Sequence, residues 1–296
     1  SNIELYFGAR GLKWLDQLPE FLHQVEKDWS LKLVEPYKRL SINFVAKALT
    51  DSGEEVVLKT GVPNPDIKGE IAALECFSGV GAIRVLRADK EKGLLLLERV
   101  TPGTDLRDVS SDREATQIAA RLMKQLWTAP PIENDFPRIK DWFDGLRSVR
   151  EKYSGGTGPI PIQLFEKAEN LSEELIAGST EALLLHGDLH HDNILYSDER
   201  VWLAIDPKGV LGDPVFELCS FLRNPRERLE EGDMSQLLAT RVEEFSVELE
   251  FPRERILSWG LAEAILSASW DIDDKNEGWR YGIAIAQAYD RLLRQT

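Results

Sequence analysis

Residues 183–214 read LLLHGDLHHDNILYSDERVWLAIDPKGVLGDP, and the alternation of apolar and polar blocks in them decides the fold. Two short apolar runs, 183–185 and 194–196, flank a polar loop over 186–193; Asp198-Glu199-Arg200 reads as a turn, and 201–205 returns the chain to Asp206. Short apolar runs bounded by turn residues are the pattern of buried strands. The stretch is therefore a strand, a polar loop and a hairpin that carries a second carboxylate back toward the first. It also holds three of the chain's four histidines.

Upstream, residues 12–29 place Leu15, Leu18, Leu22, Val25 and Trp29 at helical spacing, with Pro19 in the first turn or marking a break. Residues 41–49 partly alternate, 51–53 are turn chemistry and 55–59 alternate again, so this is a hairpin ending on Lys59. A helix over 65–78 follows, with Ile67, Ile71, Leu74 and Phe77 on one face and Glu70 beside it. Residues 85–88 and 93–100 read as two more strands, separated by a charged turn. Thr101-Pro102-Gly103-Thr104 interrupts the ladder and marks a boundary. Beyond it the periodicity is helical around 115–126, 142–149, 162–177, 235–249, 254–269 and 279–293, with a Gly/Pro loop over 155–161. The fold expected is α+β and bilobal: a small β-rich N-lobe over 1–100, joined by a short hinge near residue 100 to a larger, mostly helical C-lobe over 101–296.

At 296 residues, 43% hydrophobic and 29% charged, the chain has the composition of a soluble globular protein with two sizeable cores. No apolar run of membrane-spanning length and no signal-like start occur in it, so a cytoplasmic setting is expected. Cys76 and Cys219 both sit in apolar patterns and read as reduced core thiols. The net charge of −15 argues against nucleic acid and anionic membranes as partners, whereas a nucleotide needs only local cations and a surplus of carboxylates suits a cationic small substrate. A monomer or weak dimer is expected.

In the polar loop, Asp188 has His186 two residues before it and Asn193 five after, and Asp206 ends the next strand. Two carboxylates and a carboxamide oxygen on neighbouring loops suit a hard cation such as Mg2+, which takes oxygen ligands and keeps phosphates in its shell. One of these groups is then left to accept a hydroxyl proton. Lys59 supplies the cation that phosphoryl transfer also requires, oriented by Glu70.

The loop HGDLHHDN, 186–193, resembles the catalytic loop of aminoglycoside phosphotransferases and related protein-kinase-like small-molecule kinases. Ile205-Asp206-Pro207-Lys208-Gly209, Gly212-Asp213-Pro214, Leu222-Arg223-Asn224-Pro225 and Leu266-Ser267-Ala268-Ser269-Trp270 are similar to the branch containing streptomycin 6-kinases and hydroxyurea phosphotransferases. The resemblance implies a kinase using ATP and Mg2+ on a hydroxyl of a small cationic acceptor of the streptomycin or hydroxyurea kind. Asp188 would be the catalytic base, Asn193 and Asp206 the metal ligands, and Lys59 the phosphate contact paired with Glu70. Glu98 to Val100 would meet adenine through the backbone, and His186 would brace the loop. The sequence departs from the family in its phosphate-covering stretch RLSINFVA, 39–46, which has no glycine and leaves phosphate grip to Ser41 and Asn43. Glu217 stands where many relatives have aspartate.

Competing readings attach to the same residues. His186, His190 and His191 with Asp188 and Asp192 would make a zinc site if the imidazoles converged, though their order differs from His-x-His-x-Asp-His. Without that, His190 and His191 read as exposed loop residues near the substrate mouth. Asp213, before a proline, reads as a turn brace. Asp271, Asp273, Asp274 and Glu277 are a candidate cradle for a cationic acceptor or simply a solvated loop, and Glu217 and Glu263 are further acceptor candidates. A pseudokinase that binds a nucleotide, and a kinase for a sugar, amine or amino alcohol, are the alternative functions.

Overall fold

The computed structural model describes residues 2–38, 42–179 and 182–295. The chain divides into two compact units, Ser1–Pro102 and Gly103–Thr296. In the first, helix α1 (Asn2–Trp29) is interrupted at Gly8, whose φ of 56° and ψ of −137° are not helical. It begins ten residues before the periodicity predicts, because its opening turns leave Leu5 and Tyr6 exposed and so show no apolar stripe. Pro19 lies inside the helix rather than at its start, on the exposed side, where the carbonyl that loses a donor can meet water.

Strands β1 (Leu31–Pro36), β2 (Phe44–Thr50), β3 (Glu55–Thr60), β4 (Val85–Asp89) and β5 (Leu94–Glu98) form an antiparallel sheet in the order β1-β2-β3-β5-β4. The sequence pattern missed β1, which buries only Leu31 and ends on a proline, as an edge strand can. Val56 and Leu58 of β3 join Val25, Leu31, Ala48, Leu94 and Leu96 in one core. Alternation turns the next residue, Lys59, to the other face. There it meets helix α2 (Pro65–Phe77), which starts on a proline and is capped by Asn64 Oδ1, an acceptor for the Ile67 N–H at 2.9 Å.

The second unit contains β6 (Pro102–Asp105), α3 (Asp112–Leu126), α4 (Ile139–Lys152), α5 (Ile162–Ala177), β7 (Leu183–Leu185), β8 (Ile194–Ser197), β9 (Val201–Ala204), β10 (Val210–Gly212), α6 (Leu218–Leu222), α7 (Arg226–Glu231), α8 (Met234–Leu249), α9 (Arg253–Asp273) and α10 (Trp279–Leu293). Two small sheets, β7 with β10 and β6-β8-β9, hold the polar loops. The boundary residues 101–104, expected only to break a ladder, enter β6, where Pro102 comes first and no ladder donor is lost. Helix α9 is buried along most of its length and packs on α10, α5 and α4. The helices α6 and α7 were not anticipated, since five or six residues are too few for a helical period to register.

Arg241 of α8 fixes α6 in place. It is fully buried and donates to both Asp112 carboxylate oxygens at 2.6 and 2.9 Å, and to the carbonyls of Leu222 at 2.9 Å and Asn224 at 2.6 Å. The start of α3 and the end of α6 are thereby tied to one guanidinium, whose planar fork suits several acceptors at once.

Candidate active site

The loop over 186–193 is built from its backbone outward. Strand β7 pairs with β10, Leu185 opposite Val210, and the amides of Lys208 and Gly209 both donate to the His186 carbonyl, at 2.8 and 3.1 Å. Gly187 follows with φ +80°, and a Cβ there would come within 2.9 Å of Val210 and 3.0 Å of Trp142. Only glycine fits both conditions. Beneath the loop, Glu217 accepts from the His186 amide at 2.6 Å and the Gly187 amide at 2.9 Å while only 1% exposed. Burial pushes its pKa up to about 7 against the pull of those two amides.

Asp188 is half-buried and aimed from three directions. Its Oδ1 accepts from Ser220 Oγ at 2.7 Å, its amide donates to His186 Nδ1 at 3.2 Å, and its carbonyl accepts from Asn193 Nδ2 at 2.9 Å. That last bond orients the Asn193 carboxamide and leaves Oδ1 as its remaining acceptor. His186 also bonds the Ile205 carbonyl through Nε2 at 2.8 Å, and burial lowers its pKa to about 4, so it stays neutral as a brace. Asn193 and Asp206 come together across the β8–β9 hairpin, where the Ile205 amide donates to the Asn193 carbonyl at 3.0 Å. Asp206 is exposed and held at φ +58°, a left-handed conformation that aspartate tolerates better than most side chains.

A carboxamide and a carboxylate at the paired ends of one hairpin suit a hard cation that completes its shell with water and phosphate. Among the described residues no group of three or more His, Cys, Asp or Glu could hold a metal ion. The histidines read as exposed are in fact interior. His191 is fully buried and stacked on Phe221, ring centroids 4.1 Å apart, and burial lowers its pKa to about 2. His190 is largely buried, its Nδ1 accepting from the Asp192 amide at 3.3 Å. A 3-10 turn over His191–Asn193 folds the loop back onto α6, with His191 stacked on Phe221.

In the first unit Lys59 Nζ lies 2.7 Å from Glu70 Oε1, with 3% and 6% of the two residues exposed. Ser41 lies outside the described residues. Asn43 precedes β2, and its Oδ1 occupies the space that a Cβ on Gly61 would need. Glu98 accepts from the Arg84 amide at 2.6 Å, and Val100 is half-buried just beyond β5.

The acceptor candidates disperse. Glu217 cannot serve an acceptor, being buried with both oxygens on loop amides. Glu263 is 5% exposed and bonded to Arg223 Nε at 3.1 Å. The segment after Trp270 is divided: Asp271 and Asp273 belong to the last turn of α9, where Asp271 lines a cavity and Asp273 pairs with Lys152 at 3.0 Å, while Asp274, the exposed C-cap, and Glu277 lie in the turn that follows. Asp213 caps Val215 at 2.9 Å and accepts from Trp259 Nε1 at 2.9 Å and from Arg255. The pattern reading also missed Ser220, Arg223, and Arg107, whose Nη2 holds Asp192 Oδ2 at 2.8 Å. Ser220 had a signal, since it follows Glu217 by three residues and so shares its face of a helical segment.

Residues 31–275 match the family described as aminoglycoside/hydroxyurea antibiotic resistance kinase. The chain is 29% identical to a streptomycin 6-kinase of Streptomyces griseus, over 90% of this chain and 87% of the relative. It is 31% identical to a hydroxyurea phosphotransferase of Kitasatospora aureofaciens, over 91% and 77%. Among solved structures, a choline kinase from Streptococcus pneumoniae superposes with a TM-score of 0.64 at 16% identity, over 95% of this chain and 100% of that one. An aminoglycoside phosphotransferase in complex with ADP and hygromycin B gives 0.65 at 13% identity, over 94% and 98%. These two show the fold.

Proposed function

Since the chain belongs to the aminoglycoside/hydroxyurea antibiotic resistance kinase family and is a small-molecule kinase, we propose that it transfers the γ-phosphoryl group of ATP, with Mg2+, to a hydroxyl of a small antibiotic-like acceptor carrying a cationic group. The observation that carries this reading is the aim of Asp188: one carboxylate oxygen is taken by Ser220, and Asn193 fixes its carbonyl. The acceptor oxygen attacks the γ-phosphorus and gives its proton to the Asp188 carboxylate. The bond from phosphorus to the β,γ-bridging oxygen breaks, and ADP leaves with that electron pair. Positioning of this kind accounts for most catalysis of phosphoryl transfer.

Asn193 Oδ1 and the Asp206 carboxylate would hold Mg2+, which when bound neutralises charge on the phosphate oxygens. Lys59, kept in place by Glu70, is assigned to the phosphates, and the backbone of Glu98 to Val100 to adenine. Ser41 and Asn43 are assigned to covering the phosphates. Removing the carboxylate (Asp188→Ala) should lower turnover about a thousandfold while ATP affinity by calorimetry stays within about twofold. Turnover near the wild-type rate would remove Asp188 from the chemistry.

A second reading, a kinase for a metabolite such as an amino alcohol, gains from one observation. Three of the carboxylates that were candidates to meet a cationic acceptor are engaged elsewhere: Glu217 by the loop, Glu263 by Arg223 and Asp273 by Lys152. Mg2+-dependent ATP turnover against a panel of aminoglycosides, hydroxyurea, sugars and choline separates the two.

A further inference from the structure

In the second unit the residues following α6 face α9 and α10 across a cavity of about 190 Å3, lined by Arg223, Ser267, Asp271 and Tyr281 among others. That is room for roughly six waters, or one ring of a ligand. We propose that this cavity receives the acceptor, and that the acceptor is a small zwitterionic hydroxy compound. Its carboxylate would face Arg223, its single ammonium or guanidinium Asp271, and its hydroxyl Asp188. The proposal rests on the kinase reading and narrows its acceptor.

Arg223 is the chief reason. Its Nε is committed to the buried Glu263 at 3.1 Å, and its carbonyl accepts from Tyr281 Oη at 2.6 Å, so both ends of the residue are pinned. Its terminal nitrogens make no hydrogen bond among the described residues, the side chain is 26% exposed, and the residue lines the cavity. A fixed guanidinium with its outer edge open is a fork for a carboxylate or carbonyl. Arg226, also on the cavity, is different: it pairs with Glu230 at 2.7 Å and stacks 4.7 Å over the Tyr281 ring. The one lining carboxylate is Asp271, and burial raises its pKa.

One short stretch of chain links the cavity wall to the catalytic loop. Ser220, whose hydroxyl bonds Asp188, lies in α6, Arg223 is the C-cap of that helix three residues later, and the Asp188 charge acts on both Arg223 and Glu263. A molecule with several cationic groups would set some of them against Arg223 and Arg226, with only Asp271 to compensate. One positive group and one oxygen acceptor match what the walls offer.

The test uses the full chain with ATP and Mg2+ and four probes: L-homoserine, hydroxyurea, ethanolamine and streptomycin. L-homoserine should be turned over with a kcat/KM at least about tenfold above ethanolamine, which lacks the carboxylate, the margin expected for a hydrogen bond to a charged group. Hydroxyurea, which offers a carbonyl oxygen but no cation, should fall below L-homoserine. Streptomycin should be the poorest. Arg223→Lys keeps a cation beside Glu263 and so protects the fold, but loses the fork; it should raise the homoserine KM about tenfold or more and leave the ATP KM unchanged. Asp271→Asn should raise the homoserine KM and not that of hydroxyurea. The assignment is overturned if streptomycin or hydroxyurea is preferred to homoserine, if Arg223→Lys leaves the homoserine KM alone, or if ATP is hydrolysed while homoserine is not phosphorylated. If no Mg2+-dependent ATP binding or hydrolysis occurs at all, the kinase reading itself falls, and the acceptor with it.

Discussion

Two acidic stretches of the second unit, residues 186–193 and 271–277, look alike as composition and behave differently as structure. In the first, the acids and the carboxamide have partners that set their directions: Asp188 by Ser220, Asp192 by Arg107, Asn193 by the Asp188 carbonyl. In the second, a denser run of carboxylates scatters, with Asp271 turned into a cavity, Asp273 onto Lys152 and Glu277 onto Arg280 at 2.6 Å. A site is therefore recognised by constraint rather than by charge density. The ordered loop is also the one resting on a buried acid, Glu217, that the exposed stretch has no need of.

That buried acid is where the contrast can be strained hardest. Glu217 has a pKa near 7 in the folded chain against an ordinary 4.5, because burial opposes its charge. Between those values the folded state keeps a proton that the unfolded chain has lost. Its contribution to stability is thus fully present below about pH 4.5 and is lost as the pH rises through 7, by roughly 3 kcal/mol. Glu217→Gln removes the titration, while its amide N–H group opposes a loop N–H at every pH. Urea unfolding at pH 5 and pH 8 should show the wild type losing roughly 3 kcal/mol more than Glu217→Gln over that span. Equal losses in the two proteins would mean that the loop is not carried by an ionising group.

A smaller change sharpens the same contrast from within the loop. Both ring nitrogens of His191 are buried with no hydrogen-bond partner among the described residues, and the ring stacks on Phe221. Replacing an unsatisfied polar group by an apolar one of similar shape is neutral or stabilising. His191→Phe should keep the stack and raise stability by about 1 kcal/mol, a Tm increase of about 2–4 °C. A lower Tm would show that the loop depends on the imidazole as a polar group.

How much of this was legible beforehand follows from the kind of information each feature needs. The helices 162–177 and 279–293 and the hairpin ending on Lys59 carry their period in the residues themselves, and they fold as the pattern says. Asp188, Asn193 and Asp206 lie within one short stretch, so the hairpin pairing that brings Asn193 and Asp206 together is already implied by the turn at 198–200. The rest depends on packing. Nothing local says that His191 turns inward onto Phe221, or that Glu217 reaches back 31 residues to the His186 amide. Arg223 is similarly opaque, since its role is set by Glu263, which lies 40 residues further along the chain.

The least effect is expected where the second stretch is most exposed. The Lys152–Asp273 pair is 3.0 Å long with side chains 39% and 43% exposed, so solvent and salt screen it. Asp273→Asn should change stability by less than about 0.5 kcal/mol and the acceptor KM by less than about twofold. Its near neighbour Asp271, two residues away but facing the cavity, should move the KM of an ammonium-bearing acceptor about tenfold when changed to Asn. The two variants remove the same charge from the same helical turn. If they have equal effects on acceptor KM, the stretch acts as a diffuse field of negative charge; if only Asp271 matters, direction decides here as it does in the catalytic loop.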